Sequence, residues 1–266
     1  MLDRTREVGI SIVTTAASLV AFPVVAGIIG GAVAVVRSPS PALVSGVQHF
    51  AAGVVMAAVA GEVLPDLRAR GSLCLIIVGF GAGVAVLVGL RHFGGAEGSG
   101  GEGFGGREDS GGEGWAGERC GGALPVAFLT VVAVDLFIDG LLVATGATVS
   151  RRTALIIAIA LTVEVLFLGL SVALRLTGSG VPRVRAAVTT GGVSLVTAVG
   201  AVLGALLLGG ASAAVLTLVL AFAAAALLWL VVEELLVEAH ETPERPWMAV
   251  MFFAGFLILY CLGVME

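Results

Sequence analysis

Charge is scarce in this 266-residue chain: only 12% of the residues are charged, about half the share of an ordinary soluble domain. Lysine is absent, and all fourteen cations are arginine. The net charge is −5 and no basic tail is present to neutralise phosphates, so no nucleic-acid partner is expected. Cysteine is equally sparse. Cys74, Cys120 and Cys261 stand far apart with no CxxC spacing, which argues against a disulfide framework and against a thiolate metal site. Apolar residues take up 58% of the chain, and the mean hydropathy is +1.10. That composition makes an ordinary cytosolic enzyme and a disordered protein poor readings.

The apolar residues fall into eight runs, at 9–36, 43–64, 73–90, 123–147, 153–174, 186–209, 213–232 and 247–264. Most reach the ~20 residues that a helix needs to cross a bilayer core of about 30 Å. They are continuously apolar, whereas barrel strands alternate over about ten residues, so an all-α polytopic membrane protein with eight spans is expected. The first run is too long for a cleaved leader and passes through Pro23 without a cleavage pattern. Pro23 removes a backbone donor in mid-span, and a kink is expected there. Most connections are short. The exception is 93–122, Gly-rich and carrying Glu97, Glu102, Glu108, Asp109, Glu113 and Glu118. Such sequence buries too little apolar area to offset its chain entropy, so it reads as a flexible tether, or as a weak trap for cations on its carboxylates. Four segments follow: 1–92 with spans 1–3, the loop 93–122, 123–174 with spans 4 and 5, and 175–266 with spans 6–8. Arginines favour an outside N-terminus by eight to six, which puts both termini outside and the long loop in the cytoplasm. A bacterial cytoplasmic membrane is the expected location.

Spans 2 and 7 resemble each other. Phe50-Ala51-Ala52-Gly53 leads to Glu62 and Asp66; Phe222-Ala223-Ala224-Ala225 leads to Glu234 and Glu238. The Phe-to-Glu spacing is twelve in both, the second acid follows four later in both, and Gly79-Phe80 and Gly255-Phe256 follow in the next spans. An even-numbered and an odd-numbered span run in opposite directions. The repeat is then inverted, spans 1–3 against 6–8 around a central pair, a 3+2+3 arrangement typical of transporters with alternating access.

Three acids lie too deep to reach the membrane interface. Asp135 and Asp139 sit mid-span in VAVDLFIDGLLVA, and Glu164 mid-span in ALTVEVLFLGL. Each costs roughly 2.5–3.5 kcal/mol on insertion scales, so the three together cost of order 8–10 kcal/mol unless protonated, paired or bound to a cation. No Lys, Arg or His lies at that depth in any span. Asp135 and Asp139 are four apart and share a helix face. Glu164 joins them if spans 4 and 5 pack, as the short link GATVSRRT favours. Hard oxygen donors suit Mg²⁺, Mn²⁺ or Ca²⁺, and Zn²⁺ accepts carboxylates too. A divalent ion on three carboxylates leaves a net −1, which makes room for one proton to exchange with the metal.

These residues resemble the ZIP (Zrt/Irt-like) family of divalent-metal transporters, over nearly the whole chain. The family has eight spans, a long variable loop between spans 3 and 4, and a 3+2+3 inverted repeat. It commonly carries H-N-x-P-E-G in span 4 and H-x-x-P-E-G or a relative in span 5. Here span 4 reads Asp135-Leu136-Phe137-Ile138-Asp139-Gly140 and span 5 reads Glu164-Val165-Leu166-Phe167-Leu168-Gly169. Asp135 stands for the family His, Asp139 for the Glu, Glu164 for the first span-5 ligand and Leu168 for the second acid. Both prolines are replaced, by Ile138 and Phe167, so straighter helices are expected. The resemblance implies transport of a divalent metal as substrate (Zn²⁺, Mn²⁺, Fe²⁺ or similar). It also makes Glu238, His240 and Glu241 candidates at the inner mouth.

Glu62 with Asp66, and Glu234 with Glu238, are same-face pairs near helix ends, either solvated or lining the two mouths. A joint metal role for Glu238 and His240, two apart, requires the end of span 7 to unwind. His49 and His92 read as interfacial residues. Two alternatives to a metal transporter stand beside it: a scaffold that binds or senses a cation without moving it, and a carrier of another cation or of protons. An intramembrane aspartyl protease draws its acids from two helices with a Gly-x-Gly-Asp motif, absent here, so no enzyme is expected. Small residues in span 6 (Gly191, Gly192, Gly200, Gly204) permit close helix packing within or between subunits, which leaves room for a homodimer.

Overall fold

Serines open three of the helices. Ser40, Ser150 and Ser212 each accept a hydrogen bond from the backbone N–H three residues on, satisfying a donor that the first turn leaves unpaired. In the computed structural model, which describes residues 2–36, 39–70, 72–96, 126–240 and 245–265, the helices are α1 (Leu2–Val36), α2 (Pro41–Ala58), α3 (Leu64–Arg70), α4 (Leu73–Ala96), α5 (Val126–Val149), α6 (Arg151–Gly178), α7 (Arg183–Leu208), α8 (Ala213–Trp229), α9 (Leu236–His240) and α10 (Pro246–Met265). A π-helical turn, Val59–Val63, joins α2 to α3, and a second, Leu230–Leu235, joins α8 to α9. The described residues contain no strand.

Seven of these helical segments are long and apolar enough to cross a membrane, and α4 adds a shorter apolar stretch, Leu73–Gly89. The chain is therefore all-α with the architecture of a polytopic integral membrane protein. α1 continues as one helix through Pro23. α4 runs to Ala96, so residues 93–96 belong to a helix rather than to the long loop, and the remainder of that loop lies outside the described residues. The end of span 7 is helical to His240, so Glu238 and His240, two apart, do not share a helix face, and a π turn precedes it.

α1 lies along α6 and α7, and α5 lies along α7 and α6; α2 lies along α10, and α4 along α8. Between apolar helices in lipid there is little hydrophobic gain, so close backbone approach and dispersion hold them. Small residues make that approach. A Cβ on Gly30 would strike the Leu166 carbonyl, one on Gly140 the Thr197 carbonyl, one on Gly53 the Phe252 carbonyl and one on Gly79 the Leu218 carbonyl. Val24, Leu142, Leu161, Leu220 and Leu227 fill the largest buried cluster among these helices. α6 stops in a Schellman turn: Val181 N–H donates to the Leu176 carbonyl (3.0 Å) and Gly180 N–H to the Thr177 carbonyl (3.1 Å). Gly180 takes φ +86° there, a left-handed conformation open to glycine without strain.

Candidate metal site

The depth of the three acids follows from one short turn. α5 ends at Val149, Ser150 alone makes the connection, and α6 begins at Arg151. The two helices therefore run antiparallel from a common point. At 1.5 Å per residue, Asp139 lies about 16 Å from the turn, Glu164 about 21 Å and Asp135 about 22 Å. Ser150 fixes the start of α6 by accepting from Thr153 N–H at 2.9 Å, and its hydroxyl also meets the Thr153 hydroxyl at 2.9 Å. Ser150→Ala should cost about 1 kcal/mol of stability, read as a lower unfolding midpoint in detergent, because the cap is lost.

Asp135, Asp139 and Glu164 each place a carboxylate oxygen within 4.8 Å of the others. Asp139 is 3% and Glu164 1% exposed, while Asp135 is partly buried. Oxygens on opposite sides of one ion lie at twice the metal–oxygen distance, about 4.6–5.2 Å for Ca²⁺ and about 4.0–4.2 Å for octahedral Mg²⁺. The triad thus spans the size of a divalent cation, and a smaller ion needs only a small inward movement. Among the described residues no imidazole or thiolate joins this group, so its donor set is hard.

Both glycines that follow the acids serve helix packing. Gly140 faces the backbone of α7 at Thr197 and Ala201, and Gly169 faces the Gly27 carbonyl of α1. The tight seam at Gly140 holds the residue next to Asp139 against α7. Along α7 runs a buried polar stripe of Thr190, Ser194 and Thr197. The first two hydroxyls donate to carbonyls of their own helix, at 2.9 and 3.0 Å, whereas the Thr197 hydroxyl, 0% exposed, has no partner among the described residues. Gln48 on α2 is also buried, with its amide nitrogen unpartnered among the described residues. Sequence reasoning passed over both. The spacing of four and then three in α7 was the available signal for Thr197.

The mouth candidates are scattered differently. Glu62 sits in the first π turn, partly buried, and accepts from the Thr153 hydroxyl at 3.3 Å. That bond links the end of span 2 to the start of α6. Asp66 is partly buried on α3, one turn after Glu62. Glu234 lies on the second π turn and Glu238 on α9, with side chains outside the described residues, as is the whole of Glu241. His240 closes α9; its ring centre lies 5.2 Å from that of His49 and away from the acidic triad. A shallow apolar cleft of about 460 Å³ between α5 and α7, lined by Leu129, Ala133, Phe137 and Val196 among others, includes none of the three acids.

Fold and site together define an all-helical membrane protein with a buried three-carboxylate cluster between two central helices. No family model and no curated protein matches the chain.

Proposed function

We propose that the chain is a transporter that moves a divalent cation across the membrane through the site formed by Asp135, Asp139 and Glu164. The observation that carries this reading is the triad: three acids from two helices, two of them almost wholly buried, with oxygens within 4.8 Å. Burying acids at mid-span is costly, and a visiting cation offsets that cost where no basic residue stands at the same depth. Asp135 and Asp139 are the core ligands and Glu164 the ligand from the facing helix. Glu62 and Asp66 stand at one mouth and the helical segment carrying Glu234, Glu238 and His240 at the other; Glu241, outside the described residues, is a candidate there by sequence alone.

Two features support a 3+2+3 inverted repeat and a distant ZIP relationship. The packing of α1 on α6 has its counterpart in α7 on α5, and that of α2 on α10 in α8 on α4. The π turns begin nine residues after Phe50 and eight after Phe222, so the two repeats widen their helices within one residue of the same place, and the turns include Glu62 and Glu234. Single π turns recur at functional sites, where they re-aim side chains. Both termini are assigned to the outer side. A second reading, a scaffold that binds the ion without moving it, is favoured by unbroken α5 and α6, which lack the family's prolines.

The test is ion uptake into proteoliposomes carrying a divalent-sensitive dye, with Zn²⁺ or Mn²⁺ outside. The wild type takes up the ion faster than protein-free vesicles, and Glu164→Gln slows uptake by roughly tenfold or more, the loss typical of damage to a metal site. Uptake no faster than in protein-free vesicles overturns transport. Stabilisation by the ion in detergent without uptake selects the binding scaffold.

A further inference from the structure

The apolar cleft between α5 and α7 takes no part in the acidic site, and it has a definite length. Its α5 wall runs from Val126 to Phe137, about 16 Å of helix, and its α7 wall includes Val196. One leaflet of a bilayer core of about 30 Å is about 15 Å deep, so the cleft starts at the end of a span and stops near mid-membrane. Thr130 is the polar member of its wall, and its hydroxyl already donates to the Val126 carbonyl at 2.9 Å. The wall therefore suits a hydrocarbon chain better than a polar ligand. Gly140 packs on Thr197, which puts the neighbouring Val196 at the inner end of the cleft.

Positive charge gathers at the outer end. Arg183 and Arg185 open α7, and both are exposed. Arg185 precedes Val196 by close to three turns, so the two share a face of α7 and stand about 16 Å apart along its axis. Arg185 is therefore level with the start of the cleft. From α6, the exposed Arg175 lays its guanidinium over the Phe128 ring, 5.4 Å from the centroid and one residue before Leu129 of the wall. No acid occurs in 126–134 or in 171–190. From this arrangement we infer that the cleft binds an acyl chain of an anionic glycerophospholipid, whose headgroup lies at the end carrying Arg175, Arg183 and Arg185. An apolar slot one leaflet deep takes the chain, and the unbalanced positive charge above it selects an anionic headgroup over a zwitterionic one. The inference stands on the cleft and its arginines and holds whether or not the triad carries an ion.

The experiment uses the full chain, delipidated in detergent and titrated with phosphatidylglycerol or with phosphatidylcholine of the same acyl chains, read by native mass spectrometry. The wild type binds phosphatidylglycerol more tightly. Each basic side chain beside an anionic headgroup is worth about fivefold in affinity, so Arg183→Gln/Arg185→Gln weakens phosphatidylglycerol about 25-fold and phosphatidylcholine much less. Arg151→Gln, at the opposite end of α6, leaves both unchanged. Phosphatidylglycerol with a photoreactive diazirine on its acyl chain labels α5 between Val126 and Phe137 and α7 near Val196. Ala133→Phe fills the cleft and abolishes that label; the wild-type label carries the assignment even if this variant does not fold. Equal affinity for the two lipids in the wild type, unchanged phosphatidylglycerol affinity in the double arginine variant, or label placed mainly on other helices overturns the site. So does a dimer mass that Ala133→Phe dissolves, since a second copy of the chain then fills the cleft.

Discussion

The Asp135→Asn/Asp139→Asn double variant should move no divalent cation while becoming more stable in the absence of ions. Asn matches Asp in shape, so packing between α5 and α7 is preserved, and Asp139 is 3% exposed with little room for anything larger. The substitution removes two of the three negative charges that attract the ion. It also relieves the crowding of three acidic groups within 4.8 Å of one another, so the metal-free protein gains stability. Wild-type protein at a hundredfold excess of ion over Kd should gain about 2.7 kcal/mol; the double variant should gain none. Thermal unfolding in detergent with and without Mn²⁺ or Zn²⁺ reads both signs, and proteoliposome uptake reads the loss of transport. The opposed signs matter, because a merely misfolded variant loses stability in both conditions. Wild-type flux in the double variant shows that the triad is not the pathway.

Gly140→Leu should lower stability by about 3 kcal/mol or more, at the upper end of what overpacking costs. The first carbon of any side chain at this position falls on the Thr197 carbonyl and the Ala201 amide of α7. Those are backbone atoms and cannot rotate aside, so α5 must separate from α7. Separation also displaces Asp139, the preceding residue, so ion-induced stabilisation falls along with basal stability. Gly140→Ala should show the same effects at smaller size. Gly81 on α4 is the control: a Cβ there meets nothing within 4 Å, so Gly81→Ala should be neutral or stabilise by roughly 0.5–1 kcal/mol through reduced chain entropy. Equal unfolding midpoints for Gly140→Ala and Gly81→Ala would show that the seam does not hold the bundle.

How far the sequence could be read differs between Glu164 and His49. Glu164 was placed beside Asp135 because two facts sufficed: helical rise fixes depth, and a short turn fixes the starting point of the return helix. His49 looked like an interfacial residue, since its neighbours in sequence do not reveal that the end of α9 lies against it. The π turns were also invisible. Val59–Val63 and Leu230–Leu235 are composed of ordinary helix-forming residues, and the extra residue in each turn is accommodated by packing rather than by a local signal. Gly140 was read as part of a motif; its close approach to α7 needed the partner helix to be present.

The amino-acid order alone determined that the chain is helical and membrane-embedded, and at what depth each acid lies. Those properties depend on run length, on mean apolarity and on a constant rise per residue, all of them local. Tertiary structure alone decided which way each helix turns about its axis. In a soluble helix the polar face marks the outside, but here lipid and protein interior are equally apolar, so hydrophobic periodicity carries almost no rotational information. The rotation is set by glycine seams such as Gly140 on Thr197 and Gly30 on Leu166, and these bring Asp139, Glu164 and Asp135 to one point and His49 to His240.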